Sequence, residues 1–333
     1  MPRPFHFDLP SYDSDPDNSL TPEQRRAVNA DHAFFSGVPG TGKTTVAIWR
    51  ILRKKDDILF TYTRLLSASI GHLSKNKNRI WGAHQWYWGK CGGAMLNKHI
   101  TNNKVLSTLK EHNIRLGKVV IDEGQDLDRK FYSALKEISE SVSIGADQAQ
   151  KLFTDVDFNM NDINALFPNN QTNELTRNFR NRYSIYNFAR HFIPHDVRAN
   201  DDNMLERLRQ KNPGGLVEIH VENSPEGIYN KIKTIIDNRR QGNIGILLSY
   251  KEAVDDYSKA LDNKNIEHSS YHSGHDYIDK RNTEENLKNI LVTTYKSAKG
   301  LEFNTVIMPD FQNANNNLKN EYYVGATRAK QAL

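Results

Sequence analysis

The segment GVPGTGKT at residues 37–44 constrains the fold of this chain more than any other feature. It fits the pattern G-x-x-x-x-G-K-[ST] and lies between an apolar run at 33–35 and a helical stretch at 44–53. Such a loop lets backbone N–H groups close around phosphate oxygens at a helix N-terminus. Lys43 can reach the β- and γ-phosphates, and the Thr44 hydroxyl can bind Mg²⁺. The sequence therefore predicts a nucleotide-binding loop rather than a glycine-rich turn with an exposed lysine.

Apolar runs alternate with helical patterns along the whole chain. The predicted strands of the first half lie at 33–35, 58–60, 119–121 and 142–144. The alternation restarts after about residue 170, with predicted strands at 216–221, 244–248, 290–293 and 305–308 and predicted helices at 227–240 and 251–261. This order predicts an α/β protein whose parallel sheets are flanked by helices.

The chain length agrees with two domains. A chain of 333 residues suits two domains of about 150 residues each. We place the first at 20–170 and the second at 171–333. Residues 1–19 are rich in Pro, Asp and Ser, which predicts a flexible leader.

Composition excludes several classes of protein. A hydrophobic content of 37% with 26% charged residues is typical of a globular domain, and we find neither a membrane-spanning run nor a signal pattern. The single cysteine, Cys91, excludes an internal disulfide framework and a four-cysteine zinc site. We therefore expect a cytoplasmic protein with no membrane partner. The net charge of +5 permits nucleic-acid binding without demonstrating it.

Two acids follow a predicted buried strand. Asp122 and Glu123 come directly after the run at 119–121, at the edge of a parallel sheet where ligands bind. We expect Asp122 to hold Mg²⁺ through its water shell and Glu123 to orient and deprotonate the attacking water. A solvated acidic turn is the alternative, and the nearby phosphate loop argues against it.

The two acids belong to the segment DEGQD at 122–126. This segment resembles motif II of the UvrD/Rep/PcrA group of superfamily 1 DNA helicases. Further segments resemble the other motifs of that group in the same order: LTPEQ at 20–24, FTYT at 60–63, AHQW at 83–86, ADQAQKLF at 146–153, LTRNFR at 175–180, TYKSAKGLEF at 294–303 and YVGATRAK at 323–330. The resemblance thus covers nearly the whole chain. It implies two tandem RecA-like P-loop NTPase domains.

The resemblance also implies roles for individual residues. The cofactors would be ATP and Mg²⁺, with Thr44 and Asp122 as the metal ligands. The implied catalytic residues are Lys43, Glu123, Gln150, Arg180 and Arg328, the two arginines acting as fingers from the second domain. The nucleotide-binding residues expected from the loop and the resemblance together are Gln24, Gly37, Gly40, Thr41, Gly42, Lys43, Thr44, Thr45, Phe179 and Glu302. Arginine fingers contribute about 10³–10⁵ in rate in related phosphoryl transfers.

The contacts to nucleic acid are expected from the same resemblance. The implied contact residues are Thr61, Tyr62, His84, Trp86, Phe153 and Thr294. Aromatic side chains offer stacking faces worth about 1–3 kcal/mol per base, and the candidates are Trp81, Trp86, Tyr87, Trp88 and Phe153. Lys75, Lys77 and Arg79 could meet phosphates. Core packing for the aromatics and a solvated loop for the basic residues remain open alternatives.

The chain departs from larger members of the group. Their two inserted subdomains would fall at 87–118, where only a small helical element fits, and at 271–289, where we expect a loop. Translocation is therefore a safer expectation than processive unwinding. The last motif lies at the C-terminal end of the sequence, although a strand usually follows it, so the chain could be trimmed or could use a partner at that edge.

The sequence thus predicts an ATP-dependent translocase or helicase on single-stranded DNA, moving 3′→5′ as the resemblance implies and hydrolysing ATP between two RecA-like domains. RNA as the track stays open, because a groove that follows the backbone does not read sequence. The alternative is an ATP-gated nucleic-acid-binding or sensor subunit of a larger complex, for instance beside a nuclease in DNA repair or antiviral defence.

Overall fold

The computed structural model describes residues 20–53, 57–74, 79–92, 101–147, 150, 159–193, 201–239, 242–312 and 316–333. Within these ranges the chain divides into two compact units, one ending at Phe179 and the other beginning at Arg180. The predicted leader at 1–19 lies outside the described residues. Each unit is built on a parallel sheet with helices beside it.

The first unit contains strands and helices in alternation. In chain order they are α1 (Pro22–Asn29), β1 (Ala33–Ser36), α2 (Lys43–Leu52), β2 (Ile58–Thr61), α3 (Arg64–Ser74), β3 (Ile80–Gly82), α4 (Ala83–Cys91), α5 (Asn102–Glu111), β4 (Leu116–Ile121), α6 (Arg129–Ile138), β5 (Ser139–Ala146), α7 (Met160–Leu166) and β6 (Gln171–Glu174). Among the described residues the sheet has six parallel strands in the order β3-β2-β4-β5-β1-β6.

The second unit follows the same plan. In chain order it contains α8 (Tyr183–Ala189), α9 (Asp201–Lys211), α10 (Pro225–Asn238), β7 (Ile244–Leu248), α11 (Lys251–Asn263), β8 (Ser269–Tyr271), α12 (Tyr277–Glu285), β9 (Ile290–Thr294), β10 (Phe303–Ile307), α13 (Lys319–Ala326) and β11 (Ala329–Ala332). The described part of its sheet has five parallel strands in the order β11-β10-β7-β9-β8.

Aromatic rings hold two helices on the first sheet. Phe60 of β2 contacts Trp86 of α4 and Phe131 of α6 edge to face, with ring centroids 5.0 and 5.4 Å apart. All three side chains are buried. Burial of apolar surface contributes about 25 cal/mol per Å², and such aromatic pairs add about 0.5–1.5 kcal/mol each. The packing fixes α4 and α6 against the face of the sheet that bears Phe60.

Two short strands of the first unit were not predicted. β3 has three residues, and β6 has the polar sequence QTNE, so neither shows the apolar run that identifies a buried strand. β6 pairs with β1, which carries the first unit past residue 170 to Phe179. The first unit therefore extends beyond residue 170 through an edge strand whose sequence has no hydrophobic signal.

The second unit corrects two predictions. The segment 216–221 is not a regular strand: Leu216 forms an isolated bridge with Ala332, while Ile219 and Val221 are exposed. Its apolar residues suggested a buried strand, but only its first residues hydrogen-bond to the last strand of the sheet. The predicted loop at 271–289 contains α12, which Asp276 caps by accepting from Asp279 N–H.

A strand begins within the last sequence motif, at Ala329, and continues to Ala332. β11 pairs in parallel with β10 and forms the edge of the second sheet. Among the described residues, no helix combines the length and the apolar character that a membrane crossing requires.

Candidate nucleotide-binding site

The topology brings three chemically important segments to one edge of the first sheet. The phosphate loop leaves the carboxyl end of β1, Asp122 follows β4, and Asp147 follows β5, which lies between those two strands. Because all three strands are parallel, their carboxyl ends lie on the same side. This is the edge where open α/β sheets bind ligands.

Gly42 permits the turn from the loop into α2. Its φ of 85° is left-handed, and it is the N-cap residue of that helix. A Cβ at this position would collide with Nε2 of Gln24, so a larger residue would be excluded by both conformation and space. The helix therefore begins immediately after the loop, with Lys43 in its first turn and Thr44 and Thr45 partly exposed beside it.

The ammonium group of Lys43 is held inside the loop. Its Nζ donates to the carbonyl oxygens of Gly37 at 2.6 Å and Val38 at 3.2 Å, and the side chain is only 6% exposed. Asp147 Oδ2 lies 3.9 Å from the same nitrogen. A buried cation surrounded by carbonyl oxygens and one carboxylate is placed to attract the oxygens of a phosphate group.

Thr44 and Asp122 are joined directly. Thr44 Oγ1 donates to Asp122 Oδ2 at 2.5 Å, and Glu123 N–H donates to Asp122 Oδ1 at 3.1 Å. Asp122 is fully buried. Burial and the neighbouring Glu123 raise the pKa of Asp122 to about 6, while the Thr44 hydrogen bond and Lys43 oppose this rise. A hydroxyl and a carboxylate in contact form the hard oxygen donor set that Mg²⁺ prefers.

Glu123 has an unusual backbone. Its φ of 56° and ψ of 42° are left-handed, a conformation that costs a non-glycine residue about 1–3 kcal/mol. The turn orients the carboxylate toward Gln125, whose Nε2 donates to Glu123 Oε2 at 2.7 Å. Gln125 Oε1 in turn accepts from Asp147 N–H at 3.0 Å. The side chain of Glu123 is therefore fixed by a neighbour that also contacts the end of β5.

Gln150 belongs to the same network. Its Nε2 donates to Asp147 Oδ2 at 2.7 Å, so Asp147 lies between Gln150 and Lys43. The sequence assigned roles to Lys43, Glu123 and Gln150 but none to Asp147 or Gln125. Both stood inside quoted motifs, yet only the structure shows that these two side chains connect the predicted catalytic residues.

Two of the residues expected to bind the nucleotide, Gln24 and Phe179, lie beside the phosphate loop. Gln24 is buried, and its Nε2 donates to the carbonyl oxygen of Thr41 at 3.0 Å. Its Oε1 accepts from Thr21 N–H, which completes the capping box of α1. Phe179 is 57% exposed, and its N–H donates to the carbonyl oxygen of Gly40 at 2.8 Å. The exposed ring of Phe179 offers a stacking face, whereas the amide of Gln24 already supports the loop.

In the second unit, Arg180 and Glu302 form an ion pair. Arg180 donates from Nε at 2.8 Å and from Nη2 at 2.5 Å to Glu302 Oε1, while Lys330 Nζ lies 3.2 Å from Glu302 Oε2. Burial alone would raise the pKa of the Glu302 carboxyl, but Arg180 and Lys330 outweigh it and lower that pKa to about 2. One carboxylate thus connects the three sequence motifs that contain these residues.

Arg328 lies deeper in the second unit. The side chain is 1% exposed, and its Nε donates to the carbonyl oxygen of Val324 at 3.0 Å. Nearby, Asn181 donates to the carbonyl oxygens of Thr327 and Ala329. Thr294 is buried, with its hydroxyl accepting from Ser297 N–H at 3.1 Å. These contacts hold the turn that follows β9 and the end of α13 in place.

Two of the residues expected to contact nucleic acid are buried in this structure. Thr61 is fully buried and donates to the carbonyl oxygen of Thr63, and Trp86 is 3% exposed within the hydrophobic core. The ring of Trp86 packs edge to face against Phe60, which encloses it in the core. Tyr87 is likewise a core residue.

His84 and Tyr62 form a different kind of pair. The rings meet edge to face with centroids 5.5 Å apart, and Tyr62 is partly exposed. Both ring nitrogens of His84 are buried without a hydrogen-bond partner, and burial lowers the pKa of His84 to about 4. Unsatisfied buried nitrogens are rare, so His84 differs from an ordinary core residue.

The other residues suggested to stack on bases or to meet phosphates have different surroundings. Trp88 is 59% exposed, while Trp81 packs partly against the core. Arg79 donates to the carbonyl oxygen of Ile51 at 2.7 Å and so fixes the end of α2. The other candidates, Lys75, Lys77 and Phe153, lie outside the described residues.

The C-terminal part of the chain matches a known family. Residues 289–333 match the sequence model of the UvrD-like helicase C-terminal domain. This segment begins just before β9 and includes Glu302 and Arg328. No curated protein matches the chain.

Solved structures with the same architecture are known. The structure is similar to S. cerevisiae Dbp5 bound to RNA and ADP BeF3, with a TM-score of 0.58 and 14% identity over 94% of this chain and 81% of that chain. A single-residue variant of S. cerevisiae Dbp5, also bound to RNA and ADP BeF3, gives 0.56 and 15% over 93% and 81%. The predicted fold class, α/β with two tandem RecA-like domains, is therefore confirmed.

Proposed function

We propose that this chain is an ATP-dependent translocase or helicase of the UvrD/Rep/PcrA type that acts on single-stranded nucleic acid, with DNA as its track. The observation that carries the proposal is the hydrogen bond between Thr44 and Asp122. It places the phosphate loop beside the acids that follow β4. Lys43 and Glu123 lie at the same edge of the sheet.

The residues of this edge suit ATP hydrolysis. Lys43 would bind the β- and γ-phosphate oxygens in place of its loop carbonyls. Glu123 would accept a proton as a water oxygen bonds to the γ-phosphorus and the bond to the ADP oxygen breaks. Thr44 and Asp122 would hold Mg²⁺, which when bound neutralises phosphate charge.

The arginines belong to the same proposal. Arg180 and Arg328 would stabilise charge on the transferring phosphoryl group, as expected from their motifs. Arg180 binds Glu302 through Nε and Nη2, while its Nη1 contacts the carbonyl oxygen of Thr327 at 3.4 Å. A phosphate would therefore bind through the Nη1 edge or replace the carboxylate. ATP binding and release would then change the contacts of Arg180 during translocation.

ATP turnover with and without single strands tests the proposal. Wild type should hydrolyse ATP at least about tenfold faster with single-stranded DNA, and Lys43→Ala should lose about 10²–10³ of that rate. Glu123→Gln should retain ATP binding and lose turnover. The exposed Lys110→Ala, on α5, is the control and should behave as wild type. Turnover that ignores added strands, or that survives in both site variants, would contradict the proposal.

Parallel assays would resolve the nature and direction of the track. A single-stranded RNA of matched sequence should stimulate turnover less than the DNA. Displacement of a protein block from either end of the DNA should show 3′→5′ movement. Equal or greater stimulation by RNA would replace DNA in the proposal without affecting the ATPase assignment.

A second candidate function follows from the small insertions. Among the described residues, α5 is the element between α4 and β4, and α12 is the one between β8 and β9. Such an architecture also suits an ATP-gated binding or sensor subunit, for instance beside a nuclease in DNA repair or antiviral defence. ATP-dependent strand binding without movement, together with a partner that copurifies in a fixed ratio, would favour this alternative.

A further inference from the structure

Three side chains of types that can ligate a metal converge in the second unit, outside all the segments that resemble helicase motifs. Asp255 lies on α11, and His272 and His275 lie in the turn that follows β8. Asp255 Oδ1 is 3.1 Å from His272 Nε2 and 3.3 Å from His275 Nε2. One ligand atom from each of the three residues lies within 4.8 Å of the other two. The sequence signal was the His-x-x-His spacing, which the motif comparison did not use.

We propose that Asp255, His272 and His275 bind a divalent transition-metal ion of the Zn²⁺ class. Zn²⁺ bonds to histidine nitrogen at about 2.0–2.1 Å and to carboxylate oxygen at about 2.0–2.2 Å. Two ligands of a tetrahedral ion are then about 3.3–3.5 Å apart. The observed nitrogen-to-oxygen distances are already close to that separation, so little movement is needed to admit the ion.

The surroundings agree with a site that has an open side. The His272 side chain is 7% exposed and that of His275 is 16% exposed, whereas Asp255 is 47% exposed and provides an entry path. The two imidazole rings have centroids only 3.8 Å apart. His275 Nδ1 is buried without a hydrogen-bond partner. Hydrogen bonding within the turn therefore does not explain the position of this ring. Three protein ligands would leave one position for water or another ligand.

Coordination would require one rearrangement. His272 Nδ1 accepts from Gly274 N–H at 3.0 Å, which places the imidazole proton on Nε2. An ion bound at Nε2 would move that proton to Nδ1 and turn this contact into one between two donors. The Gly274 peptide must therefore rotate, which a glycine does readily. The ion would then tie the 272–275 turn to α11.

Zn²⁺ and Co²⁺ titrations of the untagged full chain, freed of metal by chelation, test the site. Wild type should bind about one ion per chain, show a Co²⁺ spectrum with nitrogen ligands and gain thermal stability. The Gly274 amide resonance should shift when Zn²⁺, a diamagnetic ion, is added. His275→Gln and Asp255→Asn should each weaken Zn²⁺ binding more than about tenfold.

Two further variants separate this site from other sources of binding. His191→Gln, an exposed histidine elsewhere in the unit, should bind as wild type. Asp122→Asn should also retain full binding, since Asp122 belongs to the other unit. Circular dichroism would show that each variant is folded. The Co²⁺ spectrum and the Gly274 amide shift are measured on wild type alone. No Co²⁺ or Zn²⁺ binding by wild type, or unchanged affinity in both folded ligand variants, would overturn the proposal.

Discussion

The hydroxyl of Thr44 donates to the carboxylate of Asp122 at 2.5 Å across two different segments of the first unit. This hydrogen bond connects the first turn of α2 with the end of β4. Because Asp122 is fully buried, the contact also bears on stability.

Asp122→Asn should stabilise the protein at neutral and alkaline pH. The Asp122 carboxyl has a pKa of about 6 in the fold, through burial and the adjacent Glu123, against an ordinary value of 3.8. The fold therefore disfavours the charged form, and that penalty is complete above about pH 6 and absent below about pH 4. The variant should gain up to about 3 kcal/mol at pH 8, and the gain should fade on acidification. Denaturant unfolding at pH 8 and pH 4 measures this, and an equal gain at both would refute it.

Gln125→Leu should impair turnover more than ATP binding. The substitution removes the donor to Glu123 Oε2 and the acceptor for Asp147 N–H. A carboxylate that loses its orientation should cost about 10–100-fold in turnover rate, because small displacements have large effects. Steady-state kinetics and a separate ATP-binding titration distinguish rate from affinity. Recovery of turnover in Gln125→His, which can still donate, is expected, whereas equal losses of binding and rate would point to a folding defect.

Glu302→Gln should destabilise the second unit. It would leave Arg180 and Lys330 without their shared carboxylate, and breaking a largely buried pair costs about 3 kcal/mol. The folded-state pKa of Glu302 is lowered from 4.5 to about 2, so its contribution is present above about pH 4.5 and is lost as the pH falls through 2. Unfolding at pH 7 should show the full difference. The double variant Glu302→Gln with Arg180→Gln should recover part of it, and a purely additive result would argue against the pairing.

His84→Leu should be neutral or stabilising while weakening strand binding. Its two buried ring nitrogens have no hydrogen-bond partner, and an apolar replacement removes a penalty of about 1–3 kcal/mol. If His84 contacts nucleic acid as the sequence predicted, affinity for a single strand should fall at the same time. Fluorescence anisotropy with a labelled oligonucleotide and a thermal melt provide the two readings. A destabilised variant with unchanged affinity would identify His84 as a structural residue.

Gly145→Ala should destabilise the first unit. Gly145 of β5 pairs with Phe35 of β1, and an added Cβ would collide with the Phe35 ring. Overpacking of this kind costs about 1–3 kcal/mol. Gly89→Ala on α4 is a matched control, because nothing lies within 4 Å of the Cβ it would add. It should be neutral or stabilising by up to about 1 kcal/mol, and similar effects at both positions would contradict the prediction.

The sequence predicted the parts of the fold that carry strong local signals. Apolar runs gave β2, β4, β5 and β7, and the glycine pattern gave the turn at Gly42. Polar or very short edge strands such as β6 lack that signal, since their position depends on pairing with a neighbour. Exposed apolar residues at Ile219 and Val221 gave the opposite error, because hydrophobicity alone does not establish burial.

Contacts between individual side chains could not be predicted from the sequence, because they also depend on neighbours in space. The types and order of Lys43, Thr44, Asp122 and Glu123 indicated a triphosphate site, but Gln125 and Asp147 became visible as connectors only through their hydrogen bonds. Trp86 illustrates the converse, since a side chain that its motif suggested as a stacking face packs in the core of this structure. A sequence motif indicates which chemical groups a site contains, whereas the contacts of each side chain depend on three-dimensional packing.

The carboxylate of Glu302 pairs with two cations, Arg180 and Lys330. This double pairing limits the substitutions that position 302 can accept during evolution. Loss of the carboxylate would remove the anion that two positive charges share, so a viable substitution at 302 should keep an acid. Homologues that keep the arginine at 180 and the lysine at 330 are therefore expected to keep an acid at 302 as well.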